Sequence, residues 1–179
     1  ATGSKEDFAL MMPLLASAGF RVEAIDLAGQ YESASAGPER LDPPATRYTM
    51  DLFVGDVLAV IDAGPAPVHL LGYSFGGTVA ATAAARRPEL VSTLTLLSTP
   101  PTAGRSFGGI KRVGWLAGTA GPRTSSTVML QGIRWNLTRV NKARQAFVRA
   151  RLRRTRTSSV RDIMRLMSAA PDIATPLKG

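Results

Sequence analysis

The chain has 179 residues, of which 45% are hydrophobic and 20% charged, a composition typical of one globular domain. It contains no cysteine, which excludes a disulfide framework and a thiolate metal site. No basic-then-apolar signal segment opens it and no apolar run of 18 residues occurs in it. We therefore expect a cytoplasmic protein without a membrane span.

The net charge of +9 is distributed unevenly. Residues 1–104 hold 6 Lys/Arg and 11 Asp/Glu, whereas residues 105–168 hold 15 Lys/Arg and a single acid. Such an asymmetry indicates two units built for different surroundings. We predict a core unit at 1–102, a basic helical unit at 103–175, and the start of a return to the core at 176–179.

The sequence pattern of the first unit predicts alternating helices and strands. Apolar spacing, caps and turn residues give a helix that starts at the Ser4/Asp7 capping pattern and ends near Gly19, a strand at 20–27, a loop at 31–47, a helix at 49–64, a strand at 67–73, a helix at 76–87 and a strand at 90–99. This alternation indicates an α/β fold with a parallel sheet, because parallel strands need helical crossovers.

The second unit predicts two basic helices. One carries an apolar stripe from Val140 to Leu152, and the other runs from Ser158 to Met167. Residues 134–165 hold eleven Lys/Arg against Asp162 alone. A solvated helix face over a pocket explains this charge best. Attraction to an anionic membrane surface or acidic substrate is the next explanation, and nucleic-acid binding is not expected because no nucleic-acid motif accompanies the cations.

The stretch Gly72-Tyr73-Ser74-Phe75-Gly76 matches the pattern G-x-S-x-G between a predicted strand and a predicted helix. In that setting the serine occupies a sharp turn that presents its hydroxyl as a nucleophile. We expect Gly72 and Gly76 to lack side chains because the turn brings the flanking backbones together, and Gly77 to let the helix pack near the strands. The backbone N–H of Phe75, at the helix start, would stabilise an oxyanion.

These residues, with Asp26, Gly29 and Ser33 upstream and the "LSTPP" strand ending, resemble the α/β-hydrolase family. The resemblance implies an α/β-hydrolase core with a helical cap inserted after the third strand, and a second oxyanion donor at the N–H of Ala1 or of Thr2. In this family's sheet a further strand lies between the segments 20–27 and 67–73. The resemblance therefore implies that this chain is an incomplete core that lacks N-terminal strands and the C-terminal acid and histidine.

The chain offers no partner that could activate Ser74. Its one histidine, His69, lies five residues earlier on the same predicted strand, roughly 16 Å away and on the opposite face. The acids after the third strand, Asp162 and Asp172, do not fall at a strand end. We expect none of the three to act in a Ser-His-Asp triad.

The sequence thus predicts a serine hydrolase acting on a small ester or related carbonyl substrate through an acyl-enzyme on Ser74. The histidine and the acid would come from sequence outside this chain, which by itself should show little turnover. We expect no cofactor and no metal, and the oligomeric state stays open. The alternative is a non-catalytic, hydrolase-like binding module that uses the basic helices for anionic surfaces or partners.

Overall fold

The computed structural model describes residues 3–99 and 142–169. Within these ranges the regular elements are α1 (Met12–Ser17), α2 (Met50–Asp62), β1 (Val68–Tyr73), α3 (Phe75–Arg86), β2 (Val91–Leu97), α4 (Lys142–Arg154) and α5 (Thr157–Ser168). Short 3-10 turns lie at Lys5–Phe8, Tyr31–Ser35, Pro38–Arg40 and Pro88–Leu90. Both predicted boundaries, at 102/103 and 175/176, and the whole of the segment 103–141 lie outside the described residues.

The two strands pair in parallel, with Leu70 opposite Leu94 and Gly72 opposite Leu96. Helix α3 provides the crossover between them, which confirms the predicted α/β arrangement. Helix α2 begins where predicted, because the hydroxyl of Thr49 accepts a hydrogen bond from the N–H of Leu52 at 3.2 Å. The buried core lies between α2, α3 and α5, with Phe53, Phe75 and Ile163 among its members.

The predicted helix from Ser4 to Gly19 is wrong in its continuity. A 3-10 turn at Lys5–Phe8 is followed by a separate α1 with Pro13 in its first turn. A continuous helix would need a hydrogen bond from the backbone nitrogen of Pro13, which carries no hydrogen. The capping pattern is present in part, since the N–H of Ser4 donates to Asp7 Oδ2 at 3.1 Å.

The predicted strand at 20–27 is also wrong as an assignment, although its side chains alternate as in a strand. Val22, Ala24 and Asp26 are partly or fully buried, whereas Arg21, Glu23 and Ile25 are exposed. Within the described ranges, residues 21–26 make no backbone–backbone hydrogen bond. A strand is defined by pairing, and a cleft rather than a partner separates this segment from β1.

Helices α4 and α5 are anchored to the core by buried polar contacts around the loop that follows this segment. The hydroxyl of Ser159 donates to Ala28 O at 3.0 Å, and the N–H of Arg156 donates to Gly29 O at 2.8 Å. A side chain at Gly29 would meet Tyr48 and Ser159 at 2.5–2.6 Å, and its φ is +77°. Glycine is therefore required where the basic helices dock.

Candidate active site

Ser74 occupies the turn between the end of β1 and the start of α3. Its φ of 53° and ψ of −121° are positive-φ geometry that few residues other than glycine adopt. The turn is held by backbone hydrogen bonds from Ser74 N–H to Leu97 O at 2.9 Å and from Gly77 N–H to Ser74 O at 3.0 Å. The Ser74 hydroxyl makes no hydrogen bond among the described residues. The geometry therefore leaves this hydroxyl open to a reactant.

The glycines around Ser74 have different reasons to be glycine. A Cβ on Gly72 would lie 2.5 Å from Gly77 Cα and 2.6 Å from Gly76 O, and a Cβ on Gly77 would lie 1.7 Å from Thr99 Oγ1. A Cβ on Gly76 would meet nothing within 4 Å. The close contacts at Gly72 and Gly77 give a steric reason for glycine there, whereas Gly76 faces open space and has no such reason.

Phe75 is the first residue of α3, and no backbone acceptor among the described residues takes its N–H. The first N–H groups of a helix lack intrahelical partners and point outward along its axis. This is the geometry that an oxyanion donor needs. The phenyl ring of Phe75 is 1% exposed and contacts Phe53 edge-on, so packing fixes the residue. The other predicted donor, Ala1, lies outside the described residues.

A cavity of about 870 Å³ opens beside Ser74. It follows the cleft between the segment 20–27 and β1, and its walls are largely apolar. Gly3, Ser4, Asp7 and Asp26 line it together with Ser74. Ser74 follows the end of β1 and Asp26 lies near the end of the segment 20–27, at the edge where parallel α/β folds bind ligands. This cleft is also where the resemblance to the α/β-hydrolase family implies a further strand of the sheet, so the cavity beside Ser74 is not in itself a reactant pocket.

The histidine and the acid weighed in the sequence as partners of Ser74 have other partners in the structure. His69 is exposed on β1, where its Nδ1 lies 2.8 Å from Thr93 Oγ1 and its ring contacts Phe20 edge-on. Asp162, which is 3% exposed, accepts a hydrogen bond from the N–H of Tyr48 at 3.0 Å. Both side chains thus have local structural partners, and Asp172 lies outside the described residues.

The contacts of Asp26 and Arg151 escape the sequence patterns, although Asp26 itself belongs to the motif that resembles the α/β-hydrolase family. Asp26 Oδ1 accepts the N–H of Lys5 at 2.8 Å, which ties the segment after Gly3 to the carboxyl end of 20–27. Arg151, on α4, reaches the same segment. The hydropathy stripe of α4 includes Phe147 and Val148 but passes over Arg151, because a buried arginine looks like a surface residue until its acidic partner is placed.

Ion pairs join the acidic first unit to the basic helices. Arg151 pairs with Asp7 at 2.8 Å, and Arg156 pairs with Glu39 at the surface. The hydrogen bond from Arg156 lowers the pKa of Glu39 below its usual range. Some acidic residues of the first unit and some basic residues of the helices therefore neutralise each other where the two surfaces are in contact.

The part of the chain that the structure describes contains no group of three or more His, Cys, Asp or Glu side chains suited to a metal ion. Among the same residues, no helix is both long and apolar enough to cross a bilayer.

Comparison with known proteins agrees with the geometry. The sequence model of the alpha/beta hydrolase fold family matches residues 1–158 of this chain. Lipase LipV of Mycobacterium tuberculosis is 39% identical over 77 residues, which are 42% of this chain and 26% of that lipase. The chain thus spans about a quarter of the length of this curated relative.

Two solved structures share the fold. One is a carboxylesterase structure from the ammonia-oxidizing thaumarchaeon Nitrososphaera gargenis, with a TM-score of 0.69 and 21% identity over 98% of this chain and 64% of that chain. The other is BpoC of Mycobacterium tuberculosis, named as a non-heme bromoperoxidase, with a TM-score of 0.57 and 23% identity over 68% of this chain and 43% of that chain. Since the family model covers most of the sequence, this chain belongs to the α/β-hydrolase fold family.

Proposed function

We propose that the protein is a serine hydrolase that cleaves a small ester or related carbonyl substrate, with Ser74 as its nucleophile. The observation that carries the proposal is the backbone of Ser74, held at positive φ between strand and helix with its hydroxyl unpaired at a cavity. A side chain in that position faces a reactant and the N-terminus of α3 together. The lipase relative agrees with this reaction class.

In the proposed reaction, Ser74 Oγ attacks the carbonyl carbon of the ester while a general base takes the hydroxyl proton. The tetrahedral oxyanion is stabilised by the N–H of Phe75 and by a second donor, which we assign to Ala1. The alcohol leaves with the proton, and water then releases the acid from the acyl-enzyme. The base and its orienting acid are proposed to come from sequence outside this chain, because His69 and Asp162 are engaged elsewhere.

A fluorophosphonate probe tests this proposal, because it phosphonylates activated serine nucleophiles. In the protein that includes the proposed base and acid, we expect the probe adduct on the peptide that contains Ser74, and its loss in Ser74→Ala; this chain alone should label weakly. Ser98→Ala is the matched control, since Ser98 also has a positive φ, of 49°, and follows the neighbouring strand β2. Labelling that survives Ser74→Ala, or that maps to another serine, would contradict the mechanism. The alternative function, a non-catalytic binding module, would then be favoured. Binding of the protein to vesicles that contain anionic lipid would test it.

A further inference from the structure

Helix α4 is basic on the side that faces the core and on the side that faces away from it. Its sequence, KARQAFVRARLRR, holds six cations and no acid. Two of these cations have partners in the fold. Arg151 pairs with Asp7 at 2.8 Å, and the guanidinium of Arg154 lies 4.9 Å from the ring centroid of Tyr31. These contacts explain the cations near the core and leave the others to be explained.

Three further cations of α4, Lys142, Arg149 and Arg153, are exposed. With 3.6 residues per turn, positions 149 and 153 fall about 20° to either side of position 142. The three side chains therefore start from one line along the helix, about 16 Å long, which we call the cationic stripe. Among the described residues, none of the three makes an ion pair. The stripe is thus a row of charges that the described part of the fold does not neutralise.

The stripe weakens the helix that bears it. Arg149 and Arg153 are four residues apart, and like charges at that spacing destabilise a helix. No acid on α4 offsets the repulsion, and the exposed side chains contribute little to packing. An arrangement that costs stability inside the molecule favours a function outside it, toward a partner of opposite charge.

The remainder of the exposed face indicates which anionic partner fits. Besides the cations, the exposed side chains described on α4 are alanines, at positions 143, 146 and 150. They offer neither an aromatic ring that could stack on a base nor an amide that could read one. Their methyl groups let a flat charged surface approach the cations closely. The face is therefore better suited to the headgroup layer of an anionic membrane, which attracts Lys and Arg without a demand on shape, than to a nucleic acid.

We propose that the cationic stripe binds the headgroups of an anionic lipid bilayer, with α4 lying along the membrane while its opposite face stays docked on the core. Attachment is electrostatic and peripheral, because no large apolar side chain described on α4 is exposed to enter the hydrocarbon. This inference goes beyond the proposed function and does not depend on it, since no residue of α4 takes part in the proposed reaction.

Co-sedimentation of the full chain with lipid vesicles tests the proposal. We expect binding to phosphatidylcholine vesicles that contain phosphatidylserine, and none to phosphatidylcholine alone. Each cation near an anionic surface strengthens binding about fivefold, so the triple variant Lys142→Gln, Arg149→Gln, Arg153→Gln should lower the partition coefficient about 100-fold. NaCl at about 1 M should release the wild type, because it shortens the screening length to about 3 Å.

The matched control removes the same net charge from the first unit, by Arg21→Gln, Arg86→Gln and Arg87→Gln. These three exposed cations each pair with an acid, so we expect binding close to that of the wild type. Equal loss of binding in the two triple variants would mean that net charge matters and not the stripe, and the proposal would fail. It would also fail if the wild type ignores phosphatidylserine, or if it prefers random-sequence duplex DNA to vesicles of equal phosphate concentration.

Arg149→Glu separates binding from folding. It places an acid four residues before Arg153, an arrangement that stabilises a helix. We expect this variant to bind the anionic vesicles more weakly than Arg149→Gln while it melts no lower than the wild type. Weaker binding together with a lower melting temperature would mean that Arg149 supports the fold, and that result would overturn the assignment of the stripe to a lipid surface.

Discussion

The two glycines of the G-x-S-x-G pattern should respond to the same substitution with opposite signs. In Gly72→Ala the new methyl group would lie 2.5 Å from Gly77 Cα, 2.6 Å from Gly76 O and 2.8 Å from Ala80 Cβ. Two of these three contacts are with backbone, so relief requires β1 and α3 to separate. Overpacking of this kind costs about 1–3 kcal/mol, and we expect a value near the upper end.

In Gly76→Ala the methyl group would enter open space, on a helical residue without positive φ. Alanine is favoured over glycine inside a helix by roughly 0.5–1 kcal/mol, and the effect is smaller in the first turn. The two variants should therefore differ by about 3 kcal/mol in the free energy of unfolding, or ~6–12 °C in melting temperature for a chain of this size.

Urea denaturation monitored by circular dichroism measures both variants against the wild type. Each variant is the control for the other, because both add one methyl group within the same five-residue motif. Equal destabilisation of the two would refute the reasoning, since it would mean that the turn at Ser74 brings both flanking backbones into contact. Stabilisation by Gly72→Ala would refute the close approach of β1 and α3.

Three further substitutions compare buried, partly buried and exposed carboxyl groups. Asp162→Ala should lower the free energy of unfolding by about 1–3 kcal/mol, because it leaves the N–H of buried Tyr48 without an acceptor. Asp51→Ala breaks an exposed pair with Arg86 and removes the acid in the first turn of α2, and should cost at most about 1 kcal/mol. Equal losses for Asp162→Ala and Asp51→Ala in urea denaturation would contradict the role assigned to Asp162. Burial raises the pKa of Asp56 above 3.8. The folded state then binds the proton more tightly than the unfolded chain, so stability falls as pH rises from 3.8 through the raised pKa. Asp56→Asn should therefore be more stable than the wild type at pH 7, with the difference vanishing below the unfolded pKa. A difference independent of pH would exclude burial of this carboxyl as the cause.

The sequence patterns predict those elements whose partners are close in the chain. Helices α2 and α3 and strands β1 and β2 lie within 48 residues of each other, and caps, periodicity and the G-x-S-x-G pattern suffice to place them. The segment 20–27 shows the limit. Its alternation is strand-like, yet a strand also needs a neighbouring backbone, which no local pattern can supply.

In the candidate site, too, the residues of a local motif can be predicted and the contacts between distant residues cannot. Ser74 and Phe75 follow from one local motif, whereas Arg151 and Asp7 are 144 residues apart and meet only through the docking of α4. For Asp162 the sequence predicts only what the residue does not do. Its place in a helix excludes it from the triad, whereas its hydrogen bond with Tyr48, 114 residues away, could not be predicted.

The backbone conformation of Ser74 lowers the stability of the fold, which bears on how this residue is selected. A non-glycine residue held at φ 53° and ψ −121° costs of order 1–3 kcal/mol that the rest of the fold must offset. Selection for stability alone would favour glycine at this position, since glycine adopts that geometry without a steric penalty. A hydroxyl kept there at the expense of stability is what the proposed nucleophilic role of Ser74 requires, and under that proposal the turn is a trade-off between stability and activity.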